Sequence, residues 1–246
     1  MDLGLTDRVF LVTGGARGLG RATAEVLVAE GARVVLSGRS EESLTSAVET
    51  LGGDHAAYVV ADNADPQTPA RLIAEARRRW GRLDGALVSV GGPPVGRVSE
   101  TTDADWVTSF QIVFLGAVRL AREVAAELEA GGSIAFVLST SVRAPLARMA
   151  VSNGLRPGLA MVAKQLADEL GPSGIRVNGL LPGQVRTERL AELDQLRGSD
   201  AAATIPLGRA GEPSEFGRVA AFVLSPAASF VHGAMLPVDG GLTRAL

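Results

Sequence analysis

Val9-Phe10-Leu11-Val12-Thr13-Gly14-Gly15-Ala16-Arg17-Gly18-Leu19-Gly20 is an apolar run that ends in a glycine-rich turn and opens into helix-forming sequence. A strand, turn and helix in that order are built to hold a pyrophosphate. Backbone N–H groups and the positive end of the helix dipole face the anion, and only glycines let the backbone come that close. A glycine-rich turn alone is a weak signal. At the head of an alternating strand–helix chain it becomes a strong one.

That alternation continues to the end of the sequence. Short apolar runs recur at residues 9–12, 33–36, 57–60, 86–90, 134–138, 175–181 and 235–238. They are Val-rich and do not alternate with polar residues, as suits strands buried on both faces of a parallel sheet. Helical segments lie between them. Residues 17–30 form a helix closed by Gly31 as left-handed cap, and Asp65-Pro66 supplies a cap and first-turn proline for a helix reaching Arg79. Thr102-Asp103 opens a long helix ending near Ala130-Gly131-Gly132. No linker, repeat or low-complexity stretch interrupts residues 1–246. The sequence therefore predicts a single α/β domain, a Rossmann-type doubly wound parallel sheet of about seven strands flanked by helices.

Composition narrows the partners. The net charge is −3, so no basic field favours nucleic acid or an anionic membrane. The densest basic cluster, Arg77-Arg78-Arg79, falls on a helical segment rich in Ala and Glu and reads as a solvated face. With no cysteine, disulfides, thiolate chemistry and Cys-based zinc sites are excluded. His55 and His232 stand far apart, outside any ligand-like spacing, so no metal is expected. No signal-like segment opens the sequence and no apolar run approaches about 18 residues, so a cytoplasmic protein is expected. Of the 24 basic residues only Lys164 is lysine, so an arginine standing where a lysine is usual carries limited weight by itself.

From Arg8 to Gly241 the chain resembles the short-chain dehydrogenase/reductase family. Besides the turn at residues 13–20, the similar landmarks are Asp62 after the third strand, Leu83-Asp84 before the fourth and Gly132-Ser133-Ile134 at the fifth. Gly174-Ile175-Arg176-Val177-Asn178 with Pro182-Gly183, Pro206-Leu207-Gly208-Arg209 with Gly211-Glu212-Pro213, and Val238-Asp239-Gly240-Gly241 follow. The resemblance implies a nicotinamide dinucleotide held by Gly14, Ala16, Arg17, Gly18, Leu19, Gly20, Asp62, Asn63, Gly91, Pro182, Gly183, Val185 and Thr187. At the end of the second strand Ser37 stands where an NAD enzyme usually carries an acid for the ribose hydroxyls. Arg39 and Arg17 are both placed to approach a 2′-phosphate, so NADP(H) is expected over NAD(H). The alternative for both arginines is a solvated surface role.

The resemblance breaks at the catalytic residues. The family's chemistry uses a serine with a Tyr-x-x-x-Lys motif. The only tyrosine here is Tyr58, in the third strand. Counting back from Gly174 places the tyrosine position at Ser152 and the lysine position at Arg156, in Ser152-Asn153-Gly154-Leu155-Arg156. Lys164 lies two turns too far along. Ser139, thirteen residues before Ser152, keeps the family's serine spacing. The usual Asn-Asn-Ala-Gly reads Val88-Ser89-Val90-Gly91, followed by Gly92-Pro93-Pro94. The relay asparagine falls at Val113, which has no hydrogen-bonding group. This pattern is similar to a divergent, oxoacyl-carrier-protein-reductase-like branch with Ser-Asn-x-x-Arg.

A serine hydroxyl is a far weaker acid than a phenol, whose pKa is about 10. Arginine does not titrate near neutrality. Ser139, Ser152 and Arg156 are therefore the candidate catalytic residues. Ser139 donates to a carbonyl oxygen, Arg156 grips ribose or stabilises an alkoxide, and the proton comes from water through Ser152 or from the substrate itself. Two bland readings compete: Ser139 satisfying local backbone, and Ser152 as a helix N-cap. The second follows from Pro157, since proline suits only the first turn of a helix; the helix should then begin at Ser152 or Asn153.

A small-molecule substrate pocket is expected between Gly92-Pro93-Pro94, residues 141–145, Met149 and residues 184–193. Arg143 is its anion anchor or a surface residue. Residues 186–204 read as a lid, with residues 188–203 forming a short amphipathic helix and then a Gly-Ser-Asp turn that orders with ligand. The resemblance implies a homo-oligomer, a tetramer or a dimer, packed through the helices containing residues 113–128 and 159–170. Three functions stand open. They are an NADP(H)-dependent oxidoreductase interconverting a carbonyl and an alcohol, a cofactor-binding pseudoenzyme serving as sensor or non-catalytic subunit, and a non-redox isomerase or lyase.

Overall fold

The computed structural model describes residues 1–197 and 204–244. Seven strands, β1 (Val9–Thr13), β2 (Arg33–Gly38), β3 (Ala56–Val60), β4 (Gly85–Ser89), β5 (Ser133–Val137), β6 (Arg176–Pro182) and β7 (Met235–Val238), form one sheet. Their order is β3-β2-β1-β4-β5-β6-β7, and every pairing between neighbours is parallel.

The helices cover both faces. On one side α1 (Gly18–Ala29), α2 (Glu41–Leu51) and α8 (Pro213–Leu224) pack on Phe10, Val12, Val34 and Leu36. On the other, α3 (Thr68–Trp80), α5 (Gly116–Glu127) and α6 (Ala150–Leu170) pack on Val9, Leu11, Val35 and Phe136. Successive strand residues point to opposite faces, and both faces are buried. That burial explains the unbroken apolar runs. Among the described residues no helix is long and apolar enough to cross a membrane.

Chain order reverses between β1 and β4, which opens a crevice at their C-terminal ends. Thr13 fastens it: its Oγ1 donates to the Ser89 carbonyl at 2.7 Å and accepts from the Ser89 N–H at 2.8 Å.

Three helix boundaries differ from expectation. Asp65-Pro66 does not cap α3. Asp65 instead shapes a turn, accepting from Gln67 and Thr68, and the first-turn proline is Pro69. Thr102 does open its helix through a reciprocal capping box with Asp105. That helix, however, runs as α4 (Asp103–Ser109), then a π-turn over Phe110–Leu115, then α5, and stops at Glu127. Most consequentially, α6 does not begin at Ser152 or Asn153. It begins at Ala150, so Ser152 is no N-cap and Pro157 is the eighth residue of the helix. The early turn is anchored from outside. The Ala150 N–H donates to the Gly96 carbonyl, and the Asn153 carboxamide both donates to and accepts from the Leu146 backbone, at 2.8 and 3.0 Å.

Candidate active site

After β1 the chain turns through Gly14 at φ +60°. Gly20 then lies so close to the Gly14 carbonyl that a Cβ there would overlap it. Arg17 occupies the N-cap of α1 without a side-chain cap bond, so no side chain competes for the first-turn N–H groups of Gly18, Leu19 and Gly20. A cradle closed to side chains and lined with N–H groups fits a phosphate.

The other expected cofactor residues collect along the same C-terminal edge. Ala16 sits beside Gly38 at the tip of β2. Ser37 is enclosed one residue inside that strand, opposite Thr13 and Val59, which leaves Gly38 and the exposed Arg39 at the tip. The Asp62 carboxylate accepts from the Ala64 N–H at 2.9 Å, and the Asn63 carbonyl presses on Gly116 at the start of α5. Gly91 is exposed beyond β4. Pro182 ends β6, Gly183 packs on Asp239, and buried Val185 bridges to Gly211. Thr187 stands over Gly18 and accepts from the Leu190 N–H at the start of α7 (Glu188–Arg197). Arg17 is not free: its Nη1 pairs with the Glu188 carboxylate at 2.8 Å.

At the end of β5, Ser139 accepts from the Ser141 N–H at 3.1 Å, so the local backbone role is real. That bond uses a lone pair and leaves the hydroxyl hydrogen to donate elsewhere. Ser152, in the first turn of α6, is buried with its Oγ 3.4 Å from that of Ser141. Arg156 follows one turn later on the same face. It is only 6% exposed, and its Nη1 donates to the carbonyls of Val137 and Leu138 at 2.8 and 2.7 Å. Burial, and then the charge of Arg189, pull the Arg156 pKa down to about 10, which keeps it cationic at neutral pH. No carboxylate pairs with it among the described residues.

Other features fall outside this cluster. Tyr58 bonds Thr45 and Glu41, beside α2. Lys164 pairs with Asp168 on the exposed side of α6. Val113 is buried in the π-turn. His232 accepts from the Val177 N–H and donates to the Ala167 carbonyl. Arg77 and Arg78 form surface ion pairs and Arg79 lies over Trp80. Arg143 is exposed on the turn Thr140–Val142 and its flank. Ser141 and Arg189, expected only as parts of the pocket walls at residues 141–145 and 184–193, take individual places at the site. Arg189 arrives from α7, donating to the Pro93 carbonyl at 2.7 Å and to Glu192 at 3.1 Å. The Gly-Ser-Asp turn expected after α7 lies outside the described residues.

The family model described as Enoyl-(Acyl carrier protein) reductase matches residues 14–243. Cis-4-hydroxycyclohexanecarboxylate dehydrogenase of Sinomonas cyclohexanicum is 33% identical over 248 residues, spanning 99% of each chain. L-sorbose reductase of Gluconobacter frateurii, solved with NADPH and L-sorbose, superposes over 100% of both chains with a TM-score of 0.92 at 27% identity. A short-chain oxidoreductase of Pseudomonas aeruginosa PAO1, described as containing an atypical catalytic center, does so with a TM-score of 0.90 at 30% identity. The doubly wound sheet, its glycine cradle and these matches along nearly the whole sequence lead to one assignment: the chain belongs to the short-chain dehydrogenase/reductase family.

Proposed function

We propose that this protein is an NADP(H)-dependent oxidoreductase that interconverts a carbonyl and an alcohol on a small organic substrate, with Ser139, Ser152 and Arg156 in place of the family's serine, tyrosine and lysine. The observation that carries the proposal is the buried Arg156 cation beside Ser139, Ser141 and Ser152 at the crevice end of β5.

Residues 14–20, Asp62, Asn63, Gly91, Pro182, Gly183, Val185 and Thr187 are the residues that would hold the cofactor, with Arg156 toward its ribose. Bound there, the cofactor supplies or accepts the hydride. The exposed Arg39, the absence of an acid at Ser37, and the NADPH bound by the sorbose reductase support NADP(H).

Arg156 stabilises negative charge on the reacting oxygen, where a fixed cation out of water acts strongly. Ser139 donates a hydrogen bond to that oxygen. Ser152 and Ser141, hydroxyl against hydroxyl, pass a proton from solvent, because neither is acidic enough to be its source. A ring-borne secondary alcohol, the substrate class in the name of the Sinomonas relative, is the first to screen.

A second reading is a cofactor-binding protein without turnover. It draws support from Arg156 itself, whose Nη1 is committed to two backbone carbonyls as a brace between α6 and β5. Fluorescence titration with NADPH and NADH tests the cofactor, with NADPH expected to bind tighter by about tenfold, or ~1.4 kcal/mol. Equal affinities remove Arg17 and Arg39 as phosphate ligands. NADPH oxidation with a cyclic ketone separates the two readings.

A further inference from the structure

We propose that Arg189, reaching from α7 over the Gly92-Pro93 wall toward Arg156, is the anchor for a carboxylate on the substrate. This rests on the oxidoreductase reading above. β4 and β5 are neighbours in the sheet, with Ser89 opposite Val137. The loop after β4, which receives Arg189, and the end of β5, which receives Arg156, therefore share one crevice. Arg189 lines it and Arg156 lies buried on its β5 side. Among the described residues the carboxylate paired with either guanidinium is Glu192, mostly exposed and three residues along α7 from Arg189.

Arg189 is held there, not loosely draped. Its Nη2 donates to the Pro93 carbonyl at 2.7 Å and its Nη1 to the Glu192 carboxylate at 3.1 Å. These bonds fix the plane of the guanidinium and use one hydrogen on each outer nitrogen; the Nε–H and a second hydrogen on each outer nitrogen are left for a carboxylate. Gly92 makes the approach feasible: a Cβ at that position would stand 2.8 Å from Arg189 Nε. The side chain is 37% exposed, so a ligand entering the crevice can reach it. The proximity of the two cations also registers as the repulsion that adds to burial in depressing Arg156. An anion placed against Arg189 relieves that repulsion. Arg143, the residue first expected in this role, stands exposed on its turn.

Calorimetric titration of the purified protein, with and without NADPH, by cyclohexanecarboxylate and by neutral cyclohexanecarboxamide tests the proposal. The carboxylate is expected to bind tighter by about tenfold or more. Arg189→Gln should erase that preference while leaving the NADPH dissociation constant within about twofold. Gly92→Ala, which displaces Arg189 without removing it, should reduce the preference in the same direction. Equal binding of the two probes, no binding of either, or a preference that survives Arg189→Gln overturns the proposal. A roughly tenfold loss of NADPH affinity in Arg189→Gln overturns it too, by making the residue a clamp on the cofactor. A carboxylate preference that depends on Arg189 while NADPH fails to bind would support the anchor and sink the oxidoreductase reading instead.

Discussion

Arg156 does two jobs through one guanidinium, and substitutions can pull them apart. Its Nη1 satisfies two buried carbonyls, so Arg156→Met should cost about 1–3 kcal/mol of stability as well as the charge. Arg156→Lys keeps a cation of shorter reach and should retain part of the activity, whereas Arg156→Met should lower kcat/KM by about a hundredfold. Steady-state kinetics beside thermal melts check this; full turnover in Arg156→Met removes the residue from the mechanism. Ser152→Ala should lower kcat by about tenfold with KM unchanged, the pattern of a proton-transfer role. An unchanged kcat would make Ser152 a packing residue.

The Arg17–Glu188 pair carries a second prediction at this scale. Both side chains are more than two-thirds exposed, so the pair contributes at most about 1 kcal/mol. Glu188→Gln frees Arg17 and should tighten NADPH by roughly two- to fivefold with NADH unaffected, read by fluorescence titration. Equal tightening of both cofactors would show that the carboxylate repels the shared pyrophosphate and does not compete for Arg17. Ser139, Ser152 and Arg156 were reached through the motif spacing of the family that the chain resembles, and the structure sets Ser152 and Arg156 one turn apart on α6 with Arg156 bonded to the carbonyl before Ser139. Ser141 and Arg189 could be placed only within the pocket walls, without a role of their own. The Ser141–Ser152 contact depends on how α6 docks, and Arg189 meets Pro93 from nearly a hundred residues away.

α6 shows how a local rule yields to tertiary anchoring. Proline lacks the N–H that an interior helix position needs, so Pro157 argues for a helix start just before it. The start lies earlier because the Gly96 carbonyl and the Asn153–Leu146 bonds hold the first turn independently of the proline. The Asn153 carbonyl then lacks its helical donor. Pro157→Ala restores that bond and should stabilise the protein by about 1 kcal/mol, raising the melting temperature by roughly 2–4 °C. A lowered melting temperature would mean that the ring's packing outweighs the missing bond. The π-turn at Phe110–Leu115 was hidden for a different reason. Apolar periodicity marks that segment as helical but does not register one extra residue in a turn.

At the scale of the molecule, the sheet was legible because strands buried on both faces leave an unmistakable apolar signature. Assembly was not legible, since core and interface residues look alike in sequence. The structure identifies the core residues of the single chain. Val113 in the π-turn, Ala117, Leu120, Ala121 and Val124 on α5, Leu128 at its C-cap, and Leu159, Ala160, Ala163 and Ala167 on α6 are consumed by the core of the single chain. Among the exposed large apolar residues, one group falls on adjoining elements. Val107, Phe110 and Leu115 are exposed along α4 and the π-turn, with Met161 exposed on α6. Phe110 is stacked on Phe114 at 5.2 Å, which holds its ring in place. A rigid apolar ridge of this kind is costly to leave in water, and a second copy of the chain is the partner that the family resemblance implies. The double substitution Val107→Asp with Phe110→Asp places charges at two exposed positions of the ridge, at the cost of the Phe110–Phe114 stack. Light scattering after size exclusion should show the unmodified protein as a dimer or tetramer and the variant as a smaller species, with circular dichroism unchanged. A monomeric unmodified protein at micromolar concentration would sink homo-oligomerisation altogether. An oligomer indifferent to both charges would move the interface to another face.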